Sequence, residues 1–113
     1  MHELSICGAI ADIVTRRSAG RPVAVVHLRI GRLRQIVPDT LVYCWSLVNA
    51  ETELADSRLD VETVEARISC HDCGARHEIG DFPILLCGTC QSSHVQVDSG
   101  DEFLITSLDL AEA

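Results

Sequence analysis

Four of the six cysteines stand in two Cys-x-x-Cys pairs, Cys70-His71-Asp72-Cys73 and Cys87-Gly88-Thr89-Cys90, with thirteen residues between them. That spacing leaves residues 66–95 few ways to fold. Two intervening residues let both sulfurs of a tight turn converge on one ion at metal–sulfur distances of about 2.3 Å. The spacer accommodates a short hairpin that brings the two turns together, and Gly74 eases the backbone directly after the first pair. The four thiolates suit tetrahedral zinc, and iron fits the same sulfurs. With every coordination position filled by protein, such an ion is structural rather than catalytic. The stretch carries few large apolar side chains, so the metal is expected to stand in for a core.

The rest of the chain bounds the alternatives. At 113 residues it holds one compact domain, or a small domain with a stapled subdomain. The net charge of −8 argues against a phosphate-backbone binder, whose affinity comes mainly from clustered positive charge. All nine basic residues are arginine, and six of them (Arg16, Arg17, Arg21, Arg29, Arg32, Arg34) fall in one stretch that reads as a solvated face. No run approaches the ~18–20 apolar residues of a membrane span, and no secretory signal is visible, so a cytoplasmic location is expected. In that reducing compartment cysteines read as metal ligands or free thiols.

Periodicity supplies the remaining elements. Leu4, Cys7, Ile10, Ala11 and Val14 recur at helical spacing over residues 3–18, widened by Ile6 and Ile13, with Gly20 as a C-terminal cap. Residues 22–31 alternate as a strand, with Ala24, Val26, Leu28 and Ile30 on one face and Val23, Val25, His27 and Arg29 on the other. A second helix opens at Pro38-Asp39-Thr40, with Asp39 as the expected N-cap and Leu41, Cys44, Trp45 and Val48 as its buried face. Residues 58–65 alternate again. In the last strand, 102–110, Phe103 and Ile105 share one phase and Leu108 and Leu110 the other, which calls for a bulge. Cys7 and Cys44 lie on apolar helix faces and read as buried small hydrophobes. His71, His77 and His94 near the cysteines are either exposed side chains or donors that influence the metal site.

The chain starts Met1-His2-Glu3. A histidine in second position beside a free α-amine is a ready chelate: the amine, the His2 amide nitrogen and the imidazole Nδ1 close fused rings around one ion. Planar nitrogen donors of this kind suit Ni(II) or Cu(II). The first amides of a helix have no intrahelical partners, but the helix field opposes a cation there. Anionic donors are therefore required: a deprotonated amide, Glu3, or Asp39 from the second helix.

With these motifs in place, the chain resembles the HypA/HybF family of hydrogenase maturation nickel chaperones over nearly its full length. The resemblance rests on Met1-His2-Glu3-Leu4-Ser5, Leu28-Arg29-Ile30-Gly31, Val37-Pro38-Asp39, both cysteine pairs, and residues 100–108 from Gly100 through Leu108. It implies transported Ni(II) held at Met1, His2 and Glu3, with Asp39 as a further ligand, and structural Zn(II) on Cys70, Cys73, Cys87 and Cys90. It implies a nickel-handling GTPase and the precursor of the nickel–iron hydrogenase large subunit as partners, with urease maturation in some members. Gln91 is a departure, because some relatives carry a histidine there. Exchange of thiolate for imidazole would have to use His71, His77 or His94.

The expected fold is α+β: a three-stranded, antiparallel-type sheet with two helices on one face, and a zinc-ribbon-like four-cysteine subdomain inserted before the last strand. Residues 1–66 and 96–113 would form the nickel-binding domain and 67–95 the zinc-binding subdomain. The expected activity is non-enzymatic metal delivery by a monomer or homodimer that contacts neither membrane nor nucleic acid. The rival reading is a zinc-ribbon nucleic-acid or protein interaction module. Against it, residues 66–95 offer only Arg67 and Arg76 as bases and Phe82 as an aromatic. No phosphate loop or nucleophile–base arrangement stands out to support an enzyme.

Overall fold

The computed structural model describes residues 2–80 and 84–111, with only the backbone at residue 2. Helix α1 spans His2–Ser18, strand β1 Val23–Gly31, helix α2 Pro38–Val48, β2 Arg58–Val64, β3 Ala66–Cys70, β4 Arg76–Ile79, β5 Val95–Ser99 and β6 Phe103–Leu110. A 3₁₀ turn, Arg32–Arg34, follows β1. The strands form two three-stranded sheets, ordered β2-β1-β6 and β4-β3-β5. The chain divides into two compact units, the first from Met1–Arg29, Ile36–Glu62 and Leu104–Ala113, the second from Ile30–Gln35 and Thr63–Phe103. No helix among the described residues is long and apolar enough to cross a membrane.

In the first unit α1 packs along α2. Cys7, Ile10 and Val14 supply the buried stripe of α1, and Leu41, Cys44 and Trp45 that of α2. The stripe of α1 is narrower than its sequence implies: Leu4 and Ile13 are exposed, and Ile6 and Ala11 only half-buried. Asp39 is not the N-cap of α2. The helix begins two residues earlier, with Val37 at the cap position, no side-chain cap bond, and Pro38 in the first turn. Proline suits that position because its fixed φ is already helical and its missing N–H would have had no partner.

Strand β1 is buried nearly throughout, Val23 and Val25 included, as befits the middle strand of its sheet. Its amide at Gly31 donates to Glu102 and the Ala111 amide donates to Pro22, so β6 runs antiparallel to it. Strand β2 does not. His27 pairs with Asp60 and Arg29 with Glu62, and both pairs are 33 residues apart along the chain. A constant offset means parallel strands, where antiparallel partners were expected. The reason lies in the connection: α2 carries the chain back between β1 and β2, the crossover that parallel neighbours require. In β6 the exposure alternation slips between Ile105 and Leu108, at the exposed Thr106 and Ser107.

Trp45 anchors this core. It is 1% exposed, and its indole Nε1–H donates to Ser57 Oγ at 3.0 Å. The Ser57 hydroxyl in turn donates to the Leu54 carbonyl at 2.6 Å. Trp45→Ala empties the largest fully buried side-chain volume among the described residues and removes one donor to Ser57, so chemical denaturation is expected to show a loss of about 3–5 kcal/mol.

The second unit has little to bury. Ala66, Ile68 and Ile79 form its apolar cluster, with Leu33 and Val95 against it. Strand β3 pairs antiparallel with β4 (Ile68↔His77) and with β5 (Ile68↔Val97), the latter ladder shifting register between Arg67 and Ile68. This unit reaches past residues 67–95 because β5 belongs to its sheet and because Leu33 donates its amide to the Gly100 carbonyl at 2.8 Å. Chain segments cross there with no room for side chains. A Cβ on Gly31 would overlap the Gly100 carbonyl, and one on Gly100, at φ +101°, would overlap Ala66.

A four-thiolate metal centre

The two cysteine turns are built alike. The Cys70 amide donates to Ala75 at 2.8 Å and the Gly74 amide returns to Cys70 at 3.0 Å. The Cys87 amide donates to Ser92 at 2.9 Å and the Gln91 amide returns to Cys87 at 2.9 Å. Each turn passes through a left-handed residue one position after its second cysteine, Gly74 at φ +76° and Gln91 at φ +62°. Glycine adopts that conformation freely, whereas Gln91 is strained by roughly 1–2 kcal/mol. The first turn was therefore legible from its glycine, and the second only from its cysteines.

The sulfurs of Cys70, Cys73, Cys87 and Cys90 lie within 4.8 Å of one another. Cys70 Sγ is 3.6 Å from Cys90 Sγ, and Cys73 Sγ is 3.5 Å from Cys87 Sγ. A tetrahedron with arms of 2.3 Å has edges of about 3.8 Å, so the donor set fits one four-coordinate ion. Among the described residues this is the one such group of three or more ligand side chains. Each turn contributes one buried cysteine (Cys70, Cys87) and one exposed (Cys73, Cys90).

The electrostatics favour thiolate at Cys87. Its sulfur accepts the amides of Cys90 and Thr89, each at 3.4 Å. The Cys90 amide is the main cause that draws this thiol down to about 5, helped by Thr89 and His77 against desolvation. Against the pull of the Ser92 amide, desolvation and the other three sulfurs push Cys90 up to about 12. Without an ion four such thiols cannot all ionise together; a divalent cation removes that repulsion.

The three nearby histidines have different surroundings. His77 Nε2 is 3.5 Å from Cys87 Sγ and 3.5 Å from Thr89 Oγ1, with the ring lying over Gly88. It is placed as a neighbour of a sulfur of the four-cysteine cluster. His94 Nδ1 lies 3.5 Å from Asp72, which also accepts the Ser92 hydroxyl. His71 is exposed.

At the other expected site, Met1 and the His2 side chain lie outside the described residues. Glu3 is half-buried, and its carboxyl is held below the ordinary carboxylate value chiefly by its own backbone amide, with the Val37 amide also contributing. Glu3 therefore faces the residue that caps α2, and Asp39 is exposed two positions further on. The Cys7 thiol lies 3.5 Å from the Leu41 carbonyl, at the same 34-residue offset as Glu3 from Val37. The two helices thus run parallel, with their N-termini side by side. Cys7 is buried beneath them and pushed up to about 11 by desolvation, so it is a packed thiol rather than a ligand.

A small α+β protein with a structural-type four-thiolate centre and a helix-bearing mixed sheet is defined by these features. The profile of the family described as "Hydrogenase/urease nickel incorporation, metallochaperone, hypA" matches residues 1–110, and the chain belongs to that family. It is 36% identical to the hydrogenase maturation factor HypA of Pelodictyon phaeoclathratiforme over 115 residues, covering 99% of this chain and 97% of that one. The factor of the same name from Chlorobium limicola is 37% identical over 116 residues, with 99% and 98% covered. The fold matches the solution structure of the nickel metallochaperone HypA from Helicobacter pylori, with a TM-score of 0.65 at 19% identity and 96% of both chains covered.

Proposed function

We propose that this protein carries Ni(II) to a nickel–iron hydrogenase under assembly, holding the ion at its N-terminus and catalysing nothing itself. Family membership over residues 1–110 is the observation that carries this reading. The donors are the Met1 amine, the amide and imidazole of His2, and Glu3, with Asp39 completing the set from α2. The abutting N-termini of α1 and α2 support that choice, since Glu3 faces Val37 and Asp39 follows in the first turn of α2. The four thiolates hold Zn(II), whose closed tetrahedral preference suits a structural role. Delivery takes place in the cytoplasm, where a nickel-handling GTPase and the large-subunit precursor are the partners. Hydrogenase is the favoured client over urease because the similar curated proteins bear the hydrogenase maturation name.

The amine is the most exposed part of this proposal. Nickel titrated into zinc-loaded, untagged protein should give the absorption of a planar low-spin d⁸ complex, and a peptide tag fused ahead of Met1 should abolish it. Equal spectra with and without the tag would remove the amine from the ligand set.

A further inference from the structure

His27 sits in the middle strand of the helix-bearing sheet, between two acids on different neighbours. Its Nδ1 is 2.9 Å from Asp60 of β2, and its Nε2 is 2.9 Å from Asp109 of β6. The slip in the alternation of β6 makes this possible. An unbroken alternation would put Asp109 in the half-buried phase of Phe103 and Ile105, whereas Leu108 takes that place and Asp109 is exposed. The carboxylates lie at opposite edges of one ring, so they do not converge on a cation with it. The trio is a bridge and not a metal site.

Ionised carboxylates only accept hydrogen bonds, and a neutral imidazole has a single N–H to give. Satisfying both contacts takes one more proton than a neutral ring between two carboxylates contains. We propose that His27, Asp60 and Asp109 form a proton-operated clasp across β2, β1 and β6, closed while the trio holds that proton and released on one side when it leaves. Release raises the local charge from −1 to −2 and leaves one acid facing a ring nitrogen that has nothing to donate.

The surroundings do not offer a substitute. Arg29, two residues along β1, is engaged with Glu62 at 3.3 Å, and Arg58 lies two residues before Asp60 on β2. From β6 the Thr106 hydroxyl donates to the His27 carbonyl rather than to its ring. The charges that act on the imidazole are those of its two acids. The bond to Asp109, then that to Asp60, raises its proton affinity above the ordinary 6.5, against the opposing effect of burial. Because the folded value is raised, the stabilisation is complete below about pH 6.5 and fades as pH climbs through that higher folded value.

Nitrogen NMR of the intact, zinc-loaded protein across roughly pH 5–9 reads the ring directly. The expected result is both ring N–H groups present at about pH 6, with a His27 midpoint above 6.5 that falls in Asp60→Asn and in Asp109→Asn. Both acids are more than half exposed, at 57% and 58%, so neither change disturbs the core. The drop in melting temperature between about pH 6 and pH 9 should also shrink in His27→Gln. A midpoint at or below 6.5, or one that neither asparagine moves, would overturn the clasp.

Discussion

Cys87→Ser should cost the second unit its fold. The serine hydroxyl offers no soft thiolate to the ion, and it sits at a position only 1% exposed that two backbone amides address. What remains to hold β3, β4 and β5 is the cluster of Ala66, Ile68 and Ile79 with its two half-buried neighbours. Structural zinc contributes roughly 10–16 kcal/mol in isolated fingers, as much as the whole stability of an ordinary domain. Nothing in this small cluster offsets such a loss. Chelation of the metal should have the same effect as the substitution. Amide signals of residues 66–99 should collapse into the unfolded range, while Trp45 fluorescence, which reports the other unit, stays near native. Preserved dispersion for β3 to β5 in metal-free protein would show that the sheet stands without the ion.

His2→Ala should weaken nickel binding by about 100-fold or more without changing zinc content or melting temperature. Losing even an outer-shell partner of a metal ligand costs 10–100-fold, and here the proposed loss is a ring-closing donor itself. The fold should be indifferent, since the buried stripe of α1 starts only at Cys7. Isothermal titration of both proteins with nickel, zinc sites filled, settles the matter; matching affinities would dismiss the N-terminal site. Asp39→Asn, in contrast, should produce a smaller decrease, because in the proposed site Asp39 would join an ion already held by the terminal chelate.

Five elements were legible from periodicity alone. The helix of residues 3–18, the strands at 22–31, 58–65 and 102–110, and the helix after Pro38 each turn one face at least partly away from solvent, and that imprints its period on the sequence. Strands β3, β4 and β5 were not readable in this way. They bury Ile68 and Ile79 but few other large side chains, and the four cysteines that gather beside them leave no periodic trace. The direction of β2 does not show in alternation, which is the same for parallel and antiparallel strands; the helix expected between the strands at 22–31 and 58–65 was the signal for it. The cap of α2 lies two residues before the expected one: Asp39 is a strong capping side chain, yet Pro38 already fits the first helical turn. The cysteine set was visible in full because its spacing is itself the geometry. The clasp at His27 was not, as it joins residues 33 and 82 positions apart.

The side-by-side N-termini of α1 and α2 bear on how nickel would leave the proposed site. Each helix ends there with partial positive charge, about half an elementary charge apiece, and the two add at the same spot. A bare cation is thus unwelcome, and what would retain it in the proposed site is the chelating grip alone. Remove one donor, by protonating an amide or by offering a competing thiolate from a recipient, and the scaffold's own field helps to expel the ion. A carrier arranged in this way needs no spring or hinge to let go, because its architecture already leans toward departure.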